Sequence, residues 1–144
     1  MTIRVVNALH VEAMLLADEV RAYFDETGRA DRDALPPGLR VGFSCESLKV
    51  TTRLMHVIAW LLARRAVYAG ELGAAQTSGR TRRLGEAADS DHELVAQLPA
   101  PARQLIEASR DLYARVGRLE QEIDAPAPPS SPARTLLTRL ERAF

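Results

Sequence analysis

A single cysteine, Cys45, stands in the 144 residues, so neither a disulfide framework nor a thiolate metal cluster can form within one chain. At the start of an apolar helix it reads as a small packed thiol, not a nucleophile. His10, His56 and His92 lie far apart and share no metal-ligand spacing. No glycine-rich phosphate loop, H-E-x-x-H or G-x-S-x-G occurs. These absences leave an enzyme, a cofactor and a metal without support. Net charge is also lacking, with 19 basic residues against 19 acidic ones. That argues against nucleic acid or an anionic membrane as the main partner. Lysine is nearly absent: Lys49 is the only one, so 19 − 1 = 18 basic residues are arginine, which reads as genomic composition bias. Aromatics make up 5% and hydrophobic residues 47%, so the core is aliphatic. No apolar run is long and uncharged enough to span a bilayer, which takes ~20 residues. The N-terminus carries no secretory signal pattern, so a cytoplasmic location is expected.

What is present is helical periodicity. The richest stretch is Glu46 to Gly70, and it carries two stripes. One reads Leu48, Thr52, Met55, Ala59, Leu62, Ala66, extended backward by Cys45 and Val41. The other reads Val50, Leu54, Val57, Leu61, with Ile58 between the two. A surface helix needs one stripe about 100° wide. Two stripes predict a central helix covered on more than one side, with Leu62 in the core. Leu54, Ile58 and Leu61 are expected as bundle contacts or as surplus for a second subunit. Pro36 or Pro37 opens this helix near Leu39, and Gly70 supplies its left-handed stop.

On either side lie simpler seams. Leu9, Leu16 and Tyr23 recur by sevens with Ala13 and Val20 between them. Asn7 reads as the N-cap of this first helix, with Val6 and Val11 as the staple, and Thr27-Gly28 as its end. Gly28 to Gly38 then reads as a loop. Leu105, Leu112 and Leu119 recur by sevens with Ser109, Val116 and Ile123, predicting a third helix from about Ala102 to Ile123. Between helices two and three, Gly73 to Asp89 reads as a solvated loop with a basic cluster at Arg80, Arg82 and Arg83. Ser90-Asp91-His92-Glu93 reads as a capping box with the Ser90 hydroxyl on the Glu93 amide.

The pattern therefore predicts an all-α, antiparallel three-helix bundle over residues 1–124. A Pro-rich linker and short amphipathic helix occupy 125–144. Leu136, Leu137, Leu140 and Phe144 share one side of that tail. They are candidates for contact with a partner or with the bundle itself.

Glu46-Ser47-Leu48-Lys49-Val50-Thr51-Thr52-Arg53-Leu54-Met55, then Trp60-Leu61-Leu62 and Arg65-Ala66-Val67, resembles the signature segment of the RcdA-like family, the regulator of CtrA degradation. The likeness extends in pattern from about Val5 to about Ile123. The resemblance implies a small dimeric three-helix bundle. It also implies a non-enzymatic adaptor, which helps a ClpXP-type protease receive selected regulators during the bacterial cell cycle. The expected partners are thus a second copy, the protease machinery and protein substrates. The rival readings are a nucleic-acid-associated protein using the Arg80–Arg83 loop and a purely structural dimeric module.

Overall fold

The computed structural model describes residues 2–70, 83–124 and 139–143. The elements in order are α1 (Thr2–Ala22), a π-helical turn (Tyr23–Thr27), α2 (Gly28–Asp33), α3 (Pro37–Tyr68), α4 (His92–Val95) and α5 (Ala100–Asp124). The described residues contain no strand, and the fold is the expected all-α bundle.

α1 begins earlier than Asn7. Val6 is fully buried and extends the seam backward, giving Val6, Leu9, Ala13, Leu16, Val20 and Tyr23 at alternating steps of three and four. Val11, expected as half of a staple, faces solvent. Nor does the helix stop at Thr27-Gly28. It passes through the π turn into α2, so most of the expected loop is helix and only Ala34 to Pro36 connect to α3. The Tyr23 ring packs under Gly28, where an added Cβ would lie 2.9 Å from the ring, and the Tyr23 hydroxyl donates to Asp31 at 2.8 Å. Gly28 is thus needed for space at an ordinary helical φ of −77°. Phe24 packs edge to face on Tyr23 and Phe43 at this corner, with ring centroids 5.0 and 5.3 Å apart, and Tyr23 and Phe43 are tilted against each other at 6.2 Å.

α3 opens on Pro37 and closes at Gly70, whose φ of 77° is the expected left-handed stop. α1 is antiparallel to both other long helices: His10 meets Arg65, and Glu12 meets Arg115. The expected antiparallel order does not extend to α3 and α5, which run in the same direction, since Arg53 reaches Ser109 and Arg64 reaches Asp124. The antiparallel leg between them is a strap, residues 83–91, lying along the groove that α3 and α5 form. Gly85 lies against the His56 ring, Leu84 N donates to Glu120, and Tyr113 Oη donates to Gly85 O at 2.6 Å. This part of the expected solvated loop is therefore docked. Arg80 and Arg82 lie outside the described residues, while Arg83 is exposed.

The core gathers Leu54, Val57, Trp60 and Leu61 from α3 with Ala102, Ile106, Leu112 and Val116 from α5. Leu105, Leu119 and Ile123 are only partly buried, so the α5 seam is rotated toward Ile106 from the sevens read in sequence. Leu62 is not core; it is 48% exposed. Of the tail, 139–143 is helical and exposed, with Leu140 half exposed. Leu136, Leu137 and Phe144 lie outside the described residues.

Leu112→Ala is expected to cost about 2–5 kcal/mol, because it empties a fully enclosed site. Leu62→Ala should cost about 0.5 kcal/mol or less, as an exposed substitution does. Urea unfolding of the two variants checks this, and equal losses would reverse the assignment of α3's faces.

Candidate interaction surface

The inward face of α3 carries charged side chains among its apolar ones. Glu46, Arg53 and Arg64 are buried together with Val50, Leu54, Val57 and Leu61. Arg53, 2% exposed, sits where α3, α5 and the strap meet. Its Nη1 donates to Ser109 Oγ at 3.1 Å, and its Nη2 donates to Ala88 O at 3.1 Å and to Ser90 Oγ at 2.7 Å. Burial lowers its pKa, opposed by the charges of Glu46 and Asp89. A guanidinium stays protonated in proteins, so these contacts are made to a cation. Because Ser90 is taken by Arg53, it does not cap α4. Asp91 does so instead, its carboxylate accepting from Leu94 N at 3.3 Å.

Glu46 is fully buried and accepts from Lys49 Nζ at 2.8 Å and from Asp91 N at 3.2 Å. Burial alone would push its carboxyl up. Hydrogen bonds from Lys49, Ser90 and the Asp91 amide outweigh that and hold it below the usual carboxylate range. Arg64 stacks over Trp60 at 5.5 Å and reaches Asp124 at 3.8 Å. Asp89, on the strap, is held down to about 2 by hydrogen bonds from Arg110 and from the Ser90 amide.

With these charges inward, the other stripe faces out. Val41, Leu48, Met55 and Leu62 are 65%, 67%, 66% and 48% exposed, at steps of seven. Between them lie Cys45, Thr52 and Ala59, also exposed, and Ala66, partly so. Thr52 donates its hydroxyl to Leu48 O at 3.0 Å, so it adds little unmet polarity to the face. The only acidic residue in α3, Glu46, is inside. A groove of about 370 Å³ runs beside the seam toward α1, lined by Phe24, Leu48, Thr51, Met55 and Ile58 among others.

Both stripes are expected from the sequence to be covered, with Leu62 in the core; the structure covers only the second, and of the two alternatives for its residues it takes the bundle contact. Leu54 and Leu61 lie inside the single chain, 4% and 0% exposed, and Ile58 is partly buried at the groove. The residues left uncovered are those of the first stripe. Arg53, a charge inside the apolar run, is a core group that counting apolar residues does not reveal. The available signal was its position on the Glu46, Val50, Arg53, Val57, Trp60, Arg64 row, which keeps steps of three and four.

Among the described residues, no three His, Cys, Asp or Glu side chains converge as a metal site, and no helix is long and apolar enough to cross a membrane.

Comparison with known proteins agrees with this architecture. The family described as a protein of unknown function (DUF1465) matches residues 1–144. Among solved structures, RcdA from Caulobacter crescentus is similar: 32% identical over 85% of this chain and 92% of that one, with a TM-score of 0.67. No curated protein matches.

The strap's anchors dictate an acid limit. Asp89 has a folded pKa of about 2, below its ordinary one, so its stabilisation is present above about pH 4 and is lost as pH falls toward about 2; Glu46, also held below its ordinary range, adds a loss on acidification in the same direction. Asp89→Asn should flatten the stability decline between about pH 4 and pH 2, measured by thermal unfolding across that range. An unchanged slope would remove Asp89 from the anchor.

Proposed function

The chain belongs to the RcdA-like family, and we propose that it is a non-enzymatic adaptor that helps deliver cell-cycle regulators to a ClpXP-type protease through protein–protein contacts. The observation that carries this is the uncovered apolar seam of α3. Its four large side chains recur over residues 41–62 and are rimmed by no exposed acid on that helix. Singly exposed apolar residues are ordinary, but a contiguous stripe marks an interaction surface. The nucleic-acid reading draws no comparable support, since the chain has zero net charge.

The partner proposed for the seam is a second copy. Large residues (Val41, Leu48, Met55, Leu62) alternate with small ones (Cys45, Thr52, Ala59, Ala66). In an antiparallel two-fold pairing, Val41 meets Ala66, Cys45 meets Leu62, Leu48 meets Ala59 and Thr52 meets Met55. Every layer then holds one large and one small side chain, and the contact is self-complementary, as a two-fold interface must be. A parallel pairing would stack large on large and small on small. Each large side chain is worth roughly 1.5–3 kcal/mol when fully buried, and two copies contribute eight. Association costs about 4–15 kcal/mol, so a stable pair is attainable.

Leu48→Asp should convert a particle of about twice 15.8 kDa into monomer with little change in melting temperature, because Leu48 is exposed within the chain. Light scattering reads the mass. A reconstituted degradation assay reads delivery, which should fall with it. A monomeric wild type at micromolar concentration would reject the pairing.

The tail is proposed as a second contact, through Leu136, Leu137, Leu140 and Phe144, docking by the helix-in-groove mode. Deleting 133–144 is then expected to leave the melting temperature alone and abolish delivery. A lowered melting temperature would instead place the tail on its own bundle.

A further inference from the structure

α1 presents a second apolar face, and its surroundings carry the opposite charge. Val11 and Leu15 are 58% and 60% exposed, one helical turn apart, with Met14 between them also exposed. Leu15 and Leu16 line a shallow groove of about 270 Å³ between α1 and α5, together with Ala108 on the far wall. Its rim is acidic. Glu12, Glu19 and Asp111 line the groove, and Asp18 is exposed on the next turn of α1. Against these four carboxylates the groove holds one guanidinium, Arg115, bracketed by Glu12 and by Asp111 at 2.9 Å. The exposed charges of α3 are instead basic: Arg40 and Arg65, with Lys49 partly exposed.

From this juxtaposition we propose that the α1–α5 groove is a docking site for a basic amphipathic helix of a partner protein. Leu15 lines the groove and Val11, one turn earlier, extends it as an apolar ridge along α1, against which the apolar anchors of an incoming helix can pack. The carboxylates around them select lysine or arginine on the flanks of the incoming helix and disfavour acidic ones. The site is separate from the α3 seam and does not depend on the pairing of copies, so a dimer would carry two such grooves.

The probe is a fluorescent peptide of about 18 residues, five helical turns, with Leu and Lys at amphipathic spacing, and its Leu/Glu isomer. Anisotropy with the full chain should show binding of the Leu/Lys peptide that weakens between about 50 and 200 mM salt, with none of the isomer. Leu15→Gln and the double variant Glu19→Arg/Asp111→Arg should each weaken binding about tenfold or more. Leu48→Asp should leave it unchanged. All three variants alter exposed positions, and unchanged melting temperatures verify that each is folded. Equal binding of the isomer, indifference to Leu15→Gln, or loss in Leu48→Asp would overturn the proposal. So would a tenfold gain in affinity on deleting 133–144, which would make the chain's own tail the occupant. A loss of dimer mass in Leu15→Gln would overturn it too, making the occupant a second copy.

Discussion

One buried guanidinium dictates how the rest of the molecule is arranged. Arg53 cannot shed its proton, and a cation enclosed by protein is tolerated only when its donors find acceptors. Two separate pieces of chain supply them: Ser109 from α5, and Ser90 and the Ala88 carbonyl from the strap. Meeting that demand sets the rotation of α3 about its axis. It also sets the path of the strap and the register of α5 against α3. The hydrophobic effect is stronger in total but non-directional. On a helix with two apolar stripes it cannot choose between them, and the polar residues make the choice. Glu46 and Arg64 share Arg53's side of α3 and turn inward with it, so the stripe opposite them is the one that faces water.

This explains which parts of the fold were legible in the sequence. The seam of α1 was readable because apolar residues occupy it and charges lie off it, so periodicity and burial coincide. The same held for the existence of α5 and for both ends of α3, where Pro37 and Gly70 act through their own backbone geometry. The facing of α3 was not readable by counting apolar residues. Each stripe has the correct period, and the deciding contacts are between residues 35 to 56 positions apart. The π turn was hidden for a related reason. Thr27-Gly28 is a fair stop signal locally, and only the tertiary packing of Tyr23, Phe24 and Phe43 makes continuation preferable. The capping box failed at Ser90 because a hydroxyl that could cap a helix also suits a buried arginine.

The candidate surface followed the same division. The eight residues of the seam were visible in sequence as a stripe. Their exposure was not, since it is a property of what the neighbours fail to cover. The family resemblance pointed to protein-binding chemistry, and the structure adds that the two outward apolar faces differ in charge. α3 offers an apolar stripe with basic flanks, whereas α1 and α5 offer leucine and valine among carboxylates. A protein that holds more than one partner at once gains from such a difference, because charge sorts the partners where apolar area alone would not.

The parallel course of α3 and α5 has a consequence for the order of assembly. α1 runs through the π turn into α2, and only three residues join α2 to α3, so this helical arm and α3 close on each other at small entropic cost and through local contacts. α5 can join only after the chain has reversed through the strap, a much longer excursion. Arg53's acceptors Ala88, Ser90 and Ser109 all come from that later part of the chain, so a hairpin of α1 and α3 alone offers the guanidinium none of them. Such a hairpin would also leave both stripes of α3 uncovered. The strap and α5 cover the one that holds Arg53, and α3 is left with a single outward face.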